Sequence, residues 1–285
     1  MRRYALNPAM PVLWRPDGTV QVGWDPRRAV QVHPPAGLTA STLAQLLRSM
    51  QDPSTPDELI SRATELGMQQ PAVAVADLLA ALVRAGVVIS PSPAHRPVAV
   101  RIHGRGPLSD LLAGALRCSA TRVTRSSRAH AAVTSDRTDL VLLADALVAD
   151  PRVLRDLHAA RIPHLPVLVR DGTGLVGPLV LPGVTSCLRC ADLHRRDRDE
   201  AWPAIAAQLR HSVGSADRAT LLGTAALALT QVDRVVRTLR ADTDVAADTE
   251  AGIPAPLTLD HTVEFDVARG SVVTKHWSRH PSCRC

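Results

Sequence analysis

Four of the five cysteines in the 285-residue chain come in two close pairs: Cys187 and Cys190 within Ser186-Cys187-Leu188-Arg189-Cys190, and Cys283 and Cys285 within Pro281-Ser282-Cys283-Arg284-Cys285. A Cys-x-x-Cys loop presents two thiolates to one side of a tetrahedron, and a second close pair supplies the other two corners, the closed four-sulfur shell of structural zinc. A catalytic zinc keeps one position open for water, so this set points to a clasp that ties the end of the chain to its middle. Two disulfides would need an oxidising compartment, and a redox-active pair is the third alternative. The fifth cysteine, Cys118, follows the apolar run Leu111 to Leu116 and reads as a small buried hydrophobe.

Two further sets of residues could carry chemistry. Gly104 and Gly106 follow the β-prone run Val98 to His103 in a Gly-x-Gly-x-x-Ser pattern and open an apolar helix through Leu116, the start of a Rossmann-like βα unit. Asp145 ends the run Asp139 to Ala144, which reads as a buried parallel strand; an aspartate at a strand end is often a helix cap. A helix over Pro151 to Ala160, a strand over Leu165 to Val169, a turn at Asp171-Gly172 and a strand over Leu175 to Val180 lead to the first cysteine pair. Asp192 to Glu200 after it reads as a solvated helix start or a docking face. A long apolar helix over Leu221 to Leu239 packs on the sheet or on a second copy, which leaves a homodimer open; an acidic loop from Ala241 to Gly252 and a hairpin around Gly270 follow.

Residues 1–92 read as a separate module. Arg15-Pro16-Asp17-Gly18 turns between the β-prone runs Val12 to Trp14 and Thr19 to Trp24, and Ala29 to Val32 alternates as a third strand. Helices follow around Leu43 to Met50, after the Thr55-Pro56-Asp57-Glu58 capping box, and over Pro71 to Ala85, with Val87 to Ile89 as a closing strand. Three strands and three helices define a winged-helix-like module, and Pro91, Pro93 and Pro97 mark a linker. A third helix in a DNA groove would carry several basic side chains, whereas this one has Arg84 alone, which argues against nucleic acid. An extended peptide added to the sheet edge is the better occupant, with Val30, Val32, Leu78 and Leu82 as walls and Arg27 and Arg28 at the mouth for acidic residues.

The composition sets bounds on partners. Hydrophobic residues make up 46% and charged residues 21%, the balance of a globular protein, while 2% aromatic content argues against stacking platforms for single-stranded nucleic acid. The net charge is +6 and Lys275 is the sole lysine, so the basic surface is arginine, suited to carboxylates and phosphates. No apolar signal core follows Met1-Arg2-Arg3-Tyr4 and no run is long enough to span a bilayer, so a cytoplasmic, membrane-free protein is the expectation.

The order of these elements, with Gly177-Pro178-Leu179-Val180, the Cys187 to His194 stretch and the tail His280 to Cys285, is similar to the ThiF/MoeB and ubiquitin-activating E1 superfamily. Within it, the chain resembles the E1-like "C protein" or leader-peptide-binding partner of YcaO cyclodehydratases in thiazole/oxazole-modified peptide biosynthesis. The resemblance implies an α/β architecture: residues 1–92 as a winged-helix-like RiPP recognition element, and 97–285 as a ThiF/E1-like domain with a structural four-cysteine zinc site. Adenylating members carry a fuller glycine loop and an arginine, lysine and asparagine set after the second strand, where this chain has Thr121 to Asp139 without them. The resemblance places Asp145 where the family's magnesium-binding aspartate would be; Gly104, Gly106 and Asp145 then form a vestigial nucleotide site, and the expected role is a non-catalytic scaffold that gives a precursor leader to a YcaO-type enzyme. An active ATP-dependent adenylating enzyme and a zinc-stabilised winged-helix regulator of DNA are the alternatives.

Overall fold

The computed structural model describes residues 3–89, 97–117, 119, 121–127, 138–241 and 255–285. Cys118, Pro91 and Pro93 of the linker, and most of the acidic loop lie outside the described residues. The chain divides into two compact units, Met1–His95 and Arg96–Cys285.

In the first unit, β1 (Ala5–Leu6), β2 (Val12–Trp14), β3 (Val20–Val22) and β4 (Val30–Val32) precede α1 (Ala40–Ser49), α2 (Pro56–Glu65), α3 (Pro71–Arg84) and β5 (Val88–Ile89). Strands β2, β3 and β4 form an antiparallel sheet with β3 central, so β4 is an edge; β5 returns to pair with β1. Asp17 shapes the β2–β3 turn by accepting from the Thr19 amide and hydroxyl. The expected Thr55 and Glu58 reciprocal pair caps α2, and Thr39 with Thr42 caps α1, a start the sequence had not marked; both satisfy amides that have no partner inside the helix. Leu43, Leu46, Leu47, Leu59, Leu79 and Leu82 fill the core between helices and sheet.

The second unit is built on a seven-stranded mixed sheet. Its elements are β6 (Val98–His103), α4 (Pro107–Arg117), β7 (Thr121–Ser126), β8 (Leu140–Ala144), α5 (Pro151–Ala159), β9 (His164–Arg170), β10 (Thr173–Val176), α6 (Leu188–Arg198), α7 (Trp202–Leu209), α8 (Arg218–Ala241), β11 (His261–Asp266) and β12 (Ser271–His276). The strand order is β12-β11-β10-β9-β8-β6-β7, with β7, β6, β8 and β9 parallel and β9 through β12 antiparallel. Strand β8 is apolar at every position because both faces are covered. Leu140, Leu142 and Ala144 pack in the α4 and α8 core, while Val141 and Leu143 pack against Val153 and Leu157 of α5. The chain leaves β6 to one side for β7 and to the other for β8, a topological switch whose crevice opens at the carboxyl ends of β6 and β8. This mixed α/β sheet is consistent with the expected Rossmann-like unit. Among the described residues, no helix is long and apolar enough to cross a membrane.

Candidate functional site

The four paired cysteines converge. Cys187 occupies the N-cap position of α6 and Cys190 lies in its first turn, so both thiols sit at the helix end, where backbone N–H groups favour negative charge. The Sγ separations are 3.8 Å for Cys187 and Cys190, 3.6 Å for Cys187 and Cys283, and 3.5 Å for Cys190 and Cys285. A disulfide would bring sulfurs to about 2.05 Å, whereas a tetrahedron with metal–sulfur bonds of about 2.3 Å places them about 3.8 Å apart. All four thiols are free. The set therefore fits a metal ion, and four soft thiolates with no water position match a structural site.

Burial pushes the Cys187 thiol well above its usual range. Burial acts on Cys190 in the same sense, but the backbone N–H groups of His280 and Cys187 and the Cys285 and Cys283 thiols outweigh it and bring Cys190 down to about 7. Cys285 is raised by burial to about 11. A metal binding here has protons to displace, which makes loading pH-dependent.

The tail is held by more than sulfur. Trp277, 3% exposed, donates from Nε1 to Thr262 Oγ1, and its amide donates to Asp260 O. Asp260 Oδ1 in turn accepts from the Ser186 amide beside the first cysteine pair, and Arg279 donates to Gly183 O. His280 Nδ1 accepts from the Ser282 amide, which leaves Nε2–H to donate to Asp197 Oδ2 at 2.7 Å. Arg195 is stacked between the Trp202 and Trp277 rings, at 5.1 Å and 4.9 Å, and is paired with Asp192. Within the stretch after the first cysteine pair, His194, Arg195 and Asp197 thus meet Ser278, Trp277 and His280 of the chain's own tail.

At the switch point, Asp145 takes the left-handed backbone region (φ 72°) and is 2% exposed. Its Oδ1 accepts from the Leu108 amide at 2.9 Å and its Oδ2 from the Ser109 amide at 3.1 Å. The carboxylate therefore caps α4 from another strand. Gly104 passes so close to the Ala144 carbonyl that any Cβ would collide with it, and a Cβ on Gly106 would lie 2.7 Å from the Asp145 carboxyl carbon. Of the three residues read as a vestigial nucleotide site, Gly106 thus lies against the Asp145 carboxyl group and Gly104 against Ala144, and the helix end that could receive a phosphate is already engaged by a carboxylate. Beside them opens a cavity of about 760 Å3, lined by His103, Gly104 and Ala144 on one side and by residues of α6, α7 and β12 on the other.

In the first unit, Arg27 and Arg28 are exposed at the approach to β4, and neither is ion-paired among the described residues. Val30 and Val32 are half-buried on β4. Leu78 and Leu82 are 7% and 0% exposed and belong to the core, while Val73 and Val83 are the large apolar side chains that α3 leaves exposed. The sequence reasoning passed over α7, the Trp277–Arg195–Trp202 stack and the β1–β5 pairing. The Trp202 and Trp277 positions, two of only four tryptophans, were the available signal for the stack.

The fold is shared with solved structures at low sequence identity. The heterocyclase TruD aligns over 100% of this chain and 42% of its own length, with TM-score 0.68 and 17% identity. A heterocyclase in complex with substrate and cofactor aligns over 100% of this chain and 39% of its own, with TM-score 0.68 and 14% identity. Escherichia coli MccB with ATP aligns over 99% of both chains, with TM-score 0.59 and 12% identity. The chain thus spans about two fifths of the heterocyclases it matches. No protein-family model and no curated protein sequence matches it.

Proposed function

We propose that the protein is a non-catalytic scaffold in the biosynthesis of a ribosomally made, modified peptide. It binds the leader of the precursor and gives it to a YcaO-type cyclodehydratase. The shared fold supports this setting: one heterocyclase was solved with substrate, and the microcin C7 biosynthetic enzyme MccB was solved in complex with N-formylated MccA. In this reading the first unit is a winged-helix-like recognition element. The unpaired edge of β4 offers main-chain donors and acceptors to an extended peptide, half-buried Val30 and Val32 flank it, and Arg27 and Arg28 meet acidic leader residues. Because Leu78 and Leu82 serve the core, the α3 side of the groove falls to its exposed neighbours. The four cysteines would hold a zinc ion that fastens the tail and supplies no chemistry of its own.

The observation that carries the non-catalytic reading is the engagement of the Asp145 carboxylate by the Leu108 and Ser109 amides. An aspartate committed to a helix N-terminus is a poor magnesium ligand, and its charge repels a phosphate from the same amides. The adenylating alternative draws on the fold shared with MccB, solved with ATP, and on the cavity at the strand ends. ATP–pyrophosphate exchange separates the two: the scaffold gives no exchange above background with or without precursor peptide, and robust turnover by the isolated protein would defeat it.

A further inference from the structure

The cavity beside Asp145 carries a charge imbalance that leader binding by the first unit does not use. Six basic side chains line it, Arg105, Arg170, Arg195, Arg198, Arg210 and Lys275, against four aspartates. The aspartates are largely spent on their own surroundings. Asp150 caps α5 through the Arg152 amide, Asp192 accepts from Arg195 and the Trp202 indole, and Asp199 accepts from the Ala201 amide.

Of the basic side chains, Arg170 is paired with Glu264 and Arg195 with Asp192, and Lys275 lies over the Trp277 ring at 4.5 Å. Among the described residues Arg198 and Lys275 form no ion pair, and the Nε of Arg210 is buried without a hydrogen-bond partner, a costly state for a charged donor. Burial lowers the proton affinity of Arg195 and of Lys275; the Asp192 carboxylate opposes it at Arg195, where Arg170 and Arg198 add to it, and at Lys275 Arg198 and Arg195 add to it against Glu264. Arg195 is held rigid between two indoles, so the ordering cost of using it as a donor has been met in advance. Leu147, Leu154, Leu168 and Leu188 give the cavity an apolar wall beside its polar lining. Apolar walls with a few convergent polar groups in about 760 Å3 are the features of a small-molecule site.

We propose that this cavity binds a small organic anion whose carboxylate or phosphate head meets Arg195, Arg198 and Lys275 and whose apolar body lies along the leucine wall. Arg195 and Arg198 sit on α6 and Lys275 on β12, so the head would be held by side chains other than the β6–α4 glycine turn that Asp145 closes, although Gly104 and Arg105 of that turn line the same cavity.

Isothermal titration of the full, metal-loaded chain with octanoate, octyl phosphate and 1-octanol tests the inference. Binding of at least one anion at one per chain is expected, with 1-octanol about tenfold weaker or more; the double variant R198Q/K275Q should lose about tenfold for the anion and keep its melting temperature and metal content. Arg198 is exposed, so R198Q alone provides a second, fold-neutral probe with a smaller loss. Tighter octyl phosphate assigns a phosphate head, and tighter octanoate a carboxylate head. Absence of anion binding, equal affinity for the alcohol, or a double variant that binds as the parent does would overturn the proposal, and none of these outcomes bears on the peptide site of the first unit.

Discussion

Removing the metal should unfasten the end of the chain without unfolding the domain. With Sγ separations of 3.5 to 3.8 Å, the four thiols are arranged to close on an ion. A ligand at a free concentration of a hundred to a thousand times its Kd stabilises the folded state by about 3 to 4 kcal/mol. In a domain of roughly this size, that is a fall of roughly 10 °C in melting temperature on chelation. The tail has an independent anchor, because burial of a tryptophan's 150–250 Å2 contributes about 4 to 6 kcal/mol, and Trp277 is buried. Chelation or Cys190→Ser should therefore release residues beyond Trp277 first. In hydrogen exchange, the Ser282 and Cys283 amides, bonded to His280, should lose protection, while the Trp277 amide, bonded to Asp260, keeps it. Elemental analysis should find one zinc per chain. No metal in protein purified without chelators, or unchanged protection of Ser282 and Cys283 after its removal, would refute the reasoning.

Asp145→Ala strips two buried amides of their acceptor and should cost about 1 to 3 kcal/mol by denaturant unfolding, without weakening leader binding. Loss of peptide affinity at unchanged fold would contradict that separation of roles. His164 is fully buried, its Nδ1 bonded to Ile162 O and its Nε2 without a partner, and burial holds it near 4. The unfolded chain then takes up this proton near pH 6.5 and the folded chain only near 4, so stability falls as pH drops through that window, by up to ~3 kcal/mol. His164→Leu should flatten that part of the stability-pH profile, and an unchanged slope would exclude His164 as its source.

The elements were legible where local chemistry decides them. The Pro-Asp-Gly turn, the Thr55 and Glu58 box and the two-sided apolar strand Leu140 to Ala144 each carry their own signal and each formed as expected. The four cysteines were legible because metal-ligand spacing survives any intervening sequence. The β1–β5 pairing was not, since two-residue strands have no period and are selected by tertiary contact. Asp145 was read as a metal ligand or a helix cap. The choice depends on amides 36 and 37 residues earlier, a distance at which sequence carries no pattern. The same holds for Leu78 and Leu82, whose spacing marks an apolar helix face but does not say whether core or ligand covers it.

The most direct test of the scaffold reading is the affinity of the full chain for a synthetic peptide covering the leader of a precursor encoded beside it, measured by fluorescence anisotropy for the parent and for Gln31→Pro. Gln31 lies at the centre of edge strand β4, paired to Gln21, and a proline there removes a main-chain donor from the strand. The expected result is saturable binding that salt weakens but does not abolish, with most of the affinity lost in Gln31→Pro at unchanged metal content. A folded, metal-loaded parent chain with no measurable affinity for that leader, or a Gln31→Pro variant that binds as tightly as the parent, would contradict it.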